Sequence, residues 1–169
     1  MSVRFIIDPL DFVRKAEKHH GRISVAELER LQDFLYENQG DIIYQISGLL
    51  DQDNRPYLLV RIEGSLQLCC QRCLGRLTHR LDIDIALLLV QTEQELEIYD
   101  ADETIDAILA AEMDIHDLLE EEIILSLSIS SRHKEGECEA EYPKHANAAE
   151  IQDTKNPFAI LKALKKTQH

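Results

Sequence analysis

Apolar and polar residues alternate along two strand-like runs of the chain. In residues 57–68 the apolar side chains Val60, Ile62, Leu66 and Leu68 fall on one face, and polar or charged side chains occupy the positions between them. Residues 81–90 alternate at first and then become continuously apolar. Side chains of a strand point alternately to opposite faces, so both runs predict half-buried strands. They predict an antiparallel hairpin, preceded by a third strand at 42–50.

Three segments carry helical signals. The predicted helices cover residues 9–20, 24–36 and 114–127. Ser24 with Glu27 forms a capping box at the start of the second helix, and Asp114 is expected to cap the third. The glutamates at 120–122 are expected on the outer face of that third helix. The pattern therefore predicts an α+β fold, in which an antiparallel sheet has helices packed on one face.

The remaining segments are shorter or more polar. Residues 2–7 predict a short edge strand, and residues 91–113 predict one or two short strands among many acids. Apolar content falls after residue 129, so 130–156 is expected to be a mobile linker unless a metal ties Cys138 to the rest of the chain. A short basic amphipathic helix is expected at the C-terminal end. The expected organisation is a domain at 1–129, followed by a linker and a basic amphipathic segment at 130–169.

Three of the four cysteines lie at the tip of the predicted hairpin. Cys70 and Cys73 have the spacing that lets two thiols face one centre when the backbone turns tightly, and Gly75 could supply a positive φ for that turn. A tetrahedral zinc ion needs two further ligands, and the one remaining cysteine has a histidine five positions before it. The candidate zinc ligands are therefore Cys70, Cys73, His133 and Cys138.

Two alternatives to zinc remain at this stage. The spacing of the second half-site is looser than in a zinc finger, and on sequence alone free, reduced thiols without a metal are slightly favoured. A redox dithiol is less favoured, because such pairs lie where a helix N-terminus lowers the thiol pKa, and a strand is predicted soon after Cys73. Arg72 and Arg76 could still favour a thiolate electrostatically.

Composition narrows the class of protein. The chain has 169 residues, with 44% hydrophobic and 5% aromatic residues, which predicts one domain with appendages and a modest aliphatic core. No run approaches the roughly 20 apolar residues of a membrane span, and the apolar N-terminal stretch is far too short for a signal peptide. Four cysteines are too few to indicate a disulfide scaffold. We therefore expect a soluble cytoplasmic protein that does not bind membranes.

The net charge of −14 comes almost entirely from one region, residues 91–122, which we call the acidic block. It holds thirteen Asp or Glu and no Lys or Arg, whereas the rest of the chain has nineteen acids and eighteen bases. Such a block repels polyanions and attracts basic partners, although a solvated charged face would look the same. The acidic candidates for partner binding are Glu93, Glu95, Glu97 and Asp100. The basic candidates are Arg72, Arg76, Lys162, Lys165 and Lys166.

Four stretches of the chain occur together in a characteristic order. They are Cys70-Gln71-Arg72-Cys73 with Thr78-His79 downstream, then residues 117–127, 133–138 and 156–161. In this combination the chain resembles the YceD family, the large-ribosomal-subunit RNA accumulation proteins of bacteria and plastids. The resemblance covers most of the chain. It implies a role in synthesis, processing or stability of the large-subunit ribosomal RNA, within ribosome biogenesis, and it implies no enzymatic reaction.

Charge adds a constraint on mechanism. Proteins that bind RNA directly usually present a basic face, whereas this chain is acidic and has few aromatic residues for base stacking. We therefore expect the acidic block to hold a basic ribosomal protein or assembly factor, with the basic residues as secondary contacts to ribosomal RNA precursors. A zinc-binding adaptor unrelated to ribosomal RNA is the alternative. A thiol enzyme is less favoured, and no catalytic residue is assigned, because the chain lacks a phosphate loop, a nucleophile elbow and a helical metalloprotease motif.

Overall fold

The secondary structure mixes one long-stranded sheet with short helices. The computed structural model describes residues 5–101 and 104–138. Within these residues the strands are β1 (Ile6–Ile7), β2 (Lys18–Ser24), β3 (Leu35–Glu37), β4 (Asp41–Leu50), β5 (Pro56–Cys69), β6 (Arg76–Val90), β7 (Asp106–Leu109) and β8 (Met113–Asp114). The α-helices are α1 (Pro9–Arg14), α2 (Glu93–Asp100) and α3 (Ile115–Ser126). The α+β class is confirmed.

The predicted hairpin is the centre of the sheet. β4, β5 and β6 pair antiparallel, as their alternation predicts. Val60 and Ile62 are fully buried, whereas Arg61 and Glu63 are exposed and form an ion pair at 3.0 Å. The full strand order is β2-β4-β5-β6-β7, with β3 paired to β5. Among the described strands, β7 alone departs from the antiparallel pattern, because it runs parallel to β6. A separate pair, β1 with β8, confirms a short strand within the predicted segment 2–7.

One hydrophobic core joins the inner face of the sheet to α1, to the segment at 25–34 and to α3. Phe12 and Val13 from α1 and Leu119 and Ile123 from α3 are buried in it. Gly48 lets α1 lie directly on β4, because a Cβ at this position would be 2.7 Å from the Cα of Val13.

The first helix is shorter than the sequence predicts. α1 ends at Arg14, and Ala16 has a left-handed φ of 48° that turns the chain away. Residues 18–24 then form β2, the edge strand paired with β4. His19 stacks on Phe5 at 4.2 Å, and its Nε2 lies 3.1 Å from the hydroxyl of Tyr44. The prediction of a helix to His20 was wrong, because pairing with β4 outweighs the local helical signal.

The prediction of an α-helix at 24–36 was also wrong. The chain forms two 3₁₀ turns, Val25–Glu27 and Arg30–Phe34, and then enters β3. Its buried residues Val25, Leu28 and Leu31 recur every third position, which is the period of a 3₁₀ helix and not of an α-helix. Ser24 Oγ accepts a hydrogen bond from the amide of Ala26 at 3.4 Å.

The acidic block contains a helix in addition to the short strands that were predicted there. α2 occupies residues 93–100, and the strands β7 and β8 follow it later in the acidic block. Thr92 caps α2 by accepting from the amide of Glu95 at 3.2 Å, and the Glu95 carboxylate accepts from the amide of Gln91 at 2.9 Å. Threonine followed three residues later by glutamate is a capping-box signal that identifies this helix from sequence.

The third helix forms as predicted, but one of its glutamates faces inward. Asp114 caps α3 through the amide of His116 at 2.9 Å. Glu120 was expected on the outer face, yet it is only 5% exposed. Its Oε1 accepts from the backbone amides of Arg30 at 2.6 Å and Leu31 at 3.1 Å. That expectation was wrong, because Glu120 serves as the anion at the start of the second 3₁₀ turn.

Some predictions concern residues beyond position 138, which the structure does not describe. The basic C-terminal helix with Lys162, Lys165 and Lys166, and the linker beyond residue 138, lie outside the described residues. The division into segments 1–129 and 130–169 stays a prediction. Among the residues that the structure describes, no helix combines the length and apolarity needed to cross a membrane.

Candidate metal centre

The tip of the β5–β6 hairpin is a tight turn of six residues, 70–75. The amide of Leu74 donates to the carbonyl of Cys70 at 2.8 Å, and the amide of Cys70 donates to the carbonyl of Gly75 at 2.9 Å. The left-handed residue of this turn is Leu74, with φ of 58°, and not Gly75 as expected. Gly75 instead leaves room for the thiol of Cys73, because a Cβ at position 75 would lie 3.4 Å from Cys73 Sγ. The turn therefore holds both thiols of the CxxC motif close together.

A second segment, residues 130–138, lies against this tip. The amide of Gln71 donates to the carbonyl of Ser131 at 2.8 Å, which joins the two segments through their backbones. The chain then reverses at 134–137, where the amide of Glu137 donates to the carbonyl of Lys134 at 3.1 Å and Gly136 has φ of 86°. This reversal brings both His133 and Cys138 to the hairpin tip.

The four candidate ligands converge on one centre. Cys73 Sγ lies 3.4 Å from His133 Nδ1, Cys138 Sγ lies 3.7 Å from the same nitrogen, and Cys70 Sγ lies 4.0 Å from Cys138 Sγ. All four ligand atoms lie within 4.8 Å of one another. A tetrahedral zinc site with bonds of about 2.3 Å to sulfur and about 2.0–2.1 Å to nitrogen has edges of roughly 3.5–3.8 Å. The arrangement is close to that size, and three thiols with one imidazole are a donor set typical of structural zinc.

The surroundings of Cys70 favour its thiolate. Burial alone would raise the pKa of the Cys70 thiol, since its side chain is fully buried. Hydrogen bonds from the backbone amides of Cys73, His133 and Arg72 outweigh burial and lower this pKa to about 5. The thiolate is the form that binds a metal, so the backbone of the tip prepares Cys70 for that role.

The imidazole of His133 is oriented by its second nitrogen. Nε2 donates to the carbonyl of Arg76 at 2.9 Å, and this hydrogen bond is the main cause that raises the pKa of His133. Nδ1 is thereby left to face the thiols of Cys73 and Cys138. A backbone carbonyl that fixes the other ring nitrogen is the usual support of a metal-binding histidine.

Arg72 joins the two segments, a role that the sequence analysis did not predict. Its Nε donates to Cys138 Sγ at 3.1 Å, and one Nη donates to the carbonyls of His133 at 3.1 Å and Lys134 at 3.0 Å. Local sequence gives no signal for these contacts, because the partners are more than sixty residues away. Arg76 is exposed, with its guanidinium 4.0 Å from a carboxylate oxygen of Glu37.

The acidic candidates lie on a different element. Glu93, Glu95 and Glu97 are exposed on α2, and Asp100 is the last residue of that helix. The acidic block as a whole is not one solvated face, because Glu120 is buried. The fourth cysteine, Cys69, is not part of the four-ligand cluster, and its Sγ lies 3.7 Å from the carbonyl of Leu74.

Comparison with protein families gives one match. The model of a family described as large ribosomal RNA subunit accumulation protein YceD matches residues 58–165. Comparisons with curated proteins and with solved structures give no match. The matched stretch begins in β5 and contains the hairpin tip, the acidic block and all four candidate ligands. It covers well over half of the chain, and the chain therefore belongs to the YceD family.

Proposed function

We propose that this protein is a non-catalytic factor that supports the synthesis, processing or stability of the large-subunit ribosomal RNA. Membership of the YceD family supports this proposal, since the family is described by the accumulation of that RNA. The protein would act during ribosome biogenesis, by holding its partners and not by a chemical reaction.

We infer that zinc is the ion of the metal centre. The convergence of four ligand atoms, from segments separated by sixty residues, is the observation that carries this inference. Bound zinc would supply a structural cross-link and no redox chemistry. Cys70, Cys73, His133 and Cys138 would hold it, with Arg72 and the carbonyl of Arg76 supporting the ligands. The segment 130–138 would then be fastened to the hairpin tip.

The partner of the acidic block is, in this proposal, a basic ribosomal protein or assembly factor. Exposed carboxylates on α2 support it, since charges at a protein surface attract partners of opposite sign. Among the basic side chains near the metal centre, Arg72 is hydrogen-bonded within the protein and is therefore less available to a partner. Contacts with RNA through Arg76 and the C-terminal lysines would be secondary.

The function is tested by deleting the gene and measuring the ratio of large- to small-subunit ribosomal RNA. We expect the deletion to lower this ratio and the wild-type gene to restore it. Cys73→Ser should fail to restore it, because one zinc ligand is lost. Cys69→Ser is the matched control, since this cysteine lies outside the four-ligand cluster, and it should restore the ratio fully. A ratio that does not change on deletion would contradict the proposed function.

The choice between protein and RNA as the main partner needs a second experiment. One variant carries Gln at Glu93, Glu95 and Glu97, and the other carries Gln at Lys162, Lys165 and Lys166. Capture of purified large-subunit ribosomal proteins at increasing salt should be weakened, and its salt dependence flattened, in the first variant. If the first variant kept full activity in the cell and the second lost it, direct RNA binding would be the mechanism.

A further inference from the structure

A groove with a volume of about 500 Å³ lies between β6, β7, α2 and α3, and we call it the β6–β7 groove. Alternate residues of β6 form its floor: Ile83, Ile85 and Leu87. Ile108 on β7 and Leu125 on α3 add to the apolar lining. Leu125 is 71% exposed, which is unusual for a leucine within an apolar lining. The surface is therefore a candidate for contact with another molecule.

The groove exists because β7 is short. β7 pairs only with residues 87–90 of β6, whereas β6 begins at residue 76. In the described part of the chain, the earlier residues of β6 have no strand on the side away from β5. The side chains of Ile83 and Ile85 are consequently only partly covered. An open strand edge beside an apolar floor suits an added peptide segment.

The charges of the groove are of one sign. Among the residues that the structure describes, its lining contains the carboxylates of Asp106 and Glu122 and no lysine or arginine. Glu122 is half-buried and has no hydrogen bond or ion pair with any residue in 5–101 or 104–138. Burial, and then the neighbouring charges of Asp106 and Glu121, raise the pKa of Glu122 to about 7. A cation placed in the groove would relieve this unfavourable environment.

The cation that contacts the groove lining at Tyr99 is already engaged. Arg55 donates to Asp51 at 2.8 Å and is hydrogen-bonded to Tyr99, which lines the groove from α2. A cation beside Glu122 would then have to come from outside residues 5–101 and 104–138. Nucleic acid phosphates and fatty acid carboxylates would be repelled by the two acids, and a second copy of a chain with net charge −14 would be repelled as a whole.

We propose that the β6–β7 groove binds a segment of a basic protein, with an apolar side chain on Ile83 and Ile85 and a lysine or arginine beside Glu122 and Asp106. This inference rests on the proposed function and names the surface on which its basic partner docks. It also separates the docking residues from the rest of the acidic block, whose exposed carboxylates act only through long-range attraction.

The test uses the full-length protein and a fluorescent synthetic peptide of alternating lysine and leucine, with binding measured by anisotropy. A peptide of alternating glutamate and leucine is the charge control. The lysine peptide should bind and the glutamate peptide should not. Glu122→Gln should weaken binding of the lysine peptide about tenfold. The matched variant Glu112→Gln removes the same charge from an exposed position of the acidic block outside the groove, and should change binding less than about twofold.

The pH dependence separates Glu122 from general attraction. Carboxylates face Glu122 from β7 at Asp106 and from α3 at Glu121, while α2 contributes Tyr99 with its hydrogen-bonded Arg55. Protonation of Glu122 below about pH 7 should weaken binding of the wild-type protein, while the peptide lysines stay charged. Glu122→Gln should lose this dependence.

The apolar floor has its own matched pair of variants. Leu125→Lys places a cation at the groove, and Ile129→Lys places one at a fully exposed position outside it. Neither side chain is buried, so both variants should fold. Leu125→Lys should abolish peptide binding and Ile129→Lys should leave most of it. Amide hydrogen exchange on the wild-type complex should slow in residues 83–86 and 105–108.

Several results would overturn the proposal. Equal weakening by Glu112→Gln and Glu122→Gln would mean attraction without a specific site. Equal binding of the glutamate peptide or of oleate would mean an apolar groove without charge preference. Self-association that Leu125→Lys abolishes would assign the groove to a dimer contact. If Glu122→Gln bound the peptide normally while gene deletion still lowered the ribosomal RNA ratio, the groove proposal would fail and the proposed function would stand.

Discussion

Replacing Glu120 by alanine is expected to destabilise the fold strongly. The buried carboxylate of Glu120 accepts hydrogen bonds from two backbone amides, those of Arg30 and Leu31. A hydrogen bond to a charged group contributes about 1.5–3 kcal/mol, and a buried donor left without a partner loses that contribution in full. The amide of Leu31 is buried, whereas Arg30 is exposed and its amide can regain water. We therefore expect a loss of about 3 kcal/mol in the free energy of unfolding.

Urea unfolding followed by circular dichroism measures this loss. With an m-value of about 2 kcal/mol/M, the midpoint should fall by roughly 1.5 M. Glu120→Gln keeps an acceptor oxygen and should lose only about 1 kcal/mol. Glu121→Ala is the matched control, because this neighbour on α3 is exposed, and its change should stay within about 0.5 kcal/mol. Equal midpoints for Glu120→Ala and Glu121→Ala would refute the reasoning.

Three further outcomes are expected. The pKa of Glu122 is raised in the folded state, so its charge lowers the stability of the protein above about pH 7 and has no such effect below about pH 4.5. Glu122→Gln should therefore raise the free energy of unfolding by about 1 kcal/mol at alkaline pH, allowing for solvent screening. An equal gain in urea unfolding at alkaline pH and at pH values below about 4.5 would contradict this. Arg72→Ala should lower zinc affinity about 10–100-fold in competition with a chromophoric chelator, whereas Arg80→Ala, at an exposed position of β6, should not, and matching affinities would contradict the role of Arg72. Gly48→Ala should lower the free energy of unfolding by about 1–3 kcal/mol, because the added Cβ would lie 2.7 Å from the backbone of α1. A variant that unfolds at the same temperature as the wild-type protein would contradict this.

The sheet could be predicted from the sequence because its pattern is local. Alternation with a period of two in residues 57–68 predicts that the apolar side chains are buried and that the side chains between them are exposed. The fully buried Val60 and Ile62 beside the exposed Arg61 confirm this prediction. The capping box of Thr92 with Glu95 is present in the sequence but was not used in the prediction, so α2 was missed. The period of three in Val25, Leu28 and Leu31 was mistaken for that of an α-helix.

Other features depend on contacts that no local pattern records. Residues 18–20 form a strand only because β4 lies beside them. The burial of Glu120 depends on amides about ninety residues away in the chain. The candidate ligands could be selected from the sequence, because cysteine and histidine are few. Their convergence could not, since it rests on the backbone contact between Gln71 and Ser131 and on the guanidinium of Arg72.

The ligands of the bound metal are the most direct test of the account. X-ray absorption on the full-length protein, purified without added metal and analysed for metal content, should find about one zinc per chain. The spectrum should fit three sulfur ligands at about 2.3 Å and one nitrogen at about 2.0–2.1 Å. Cys69→Ser should keep the metal and Cys73→Ser should lose it. A wild-type protein that purifies without zinc and does not take it up, or a zinc coordinated mainly by oxygen, would contradict the central claim that Cys70, Cys73, His133 and Cys138 form a metal centre.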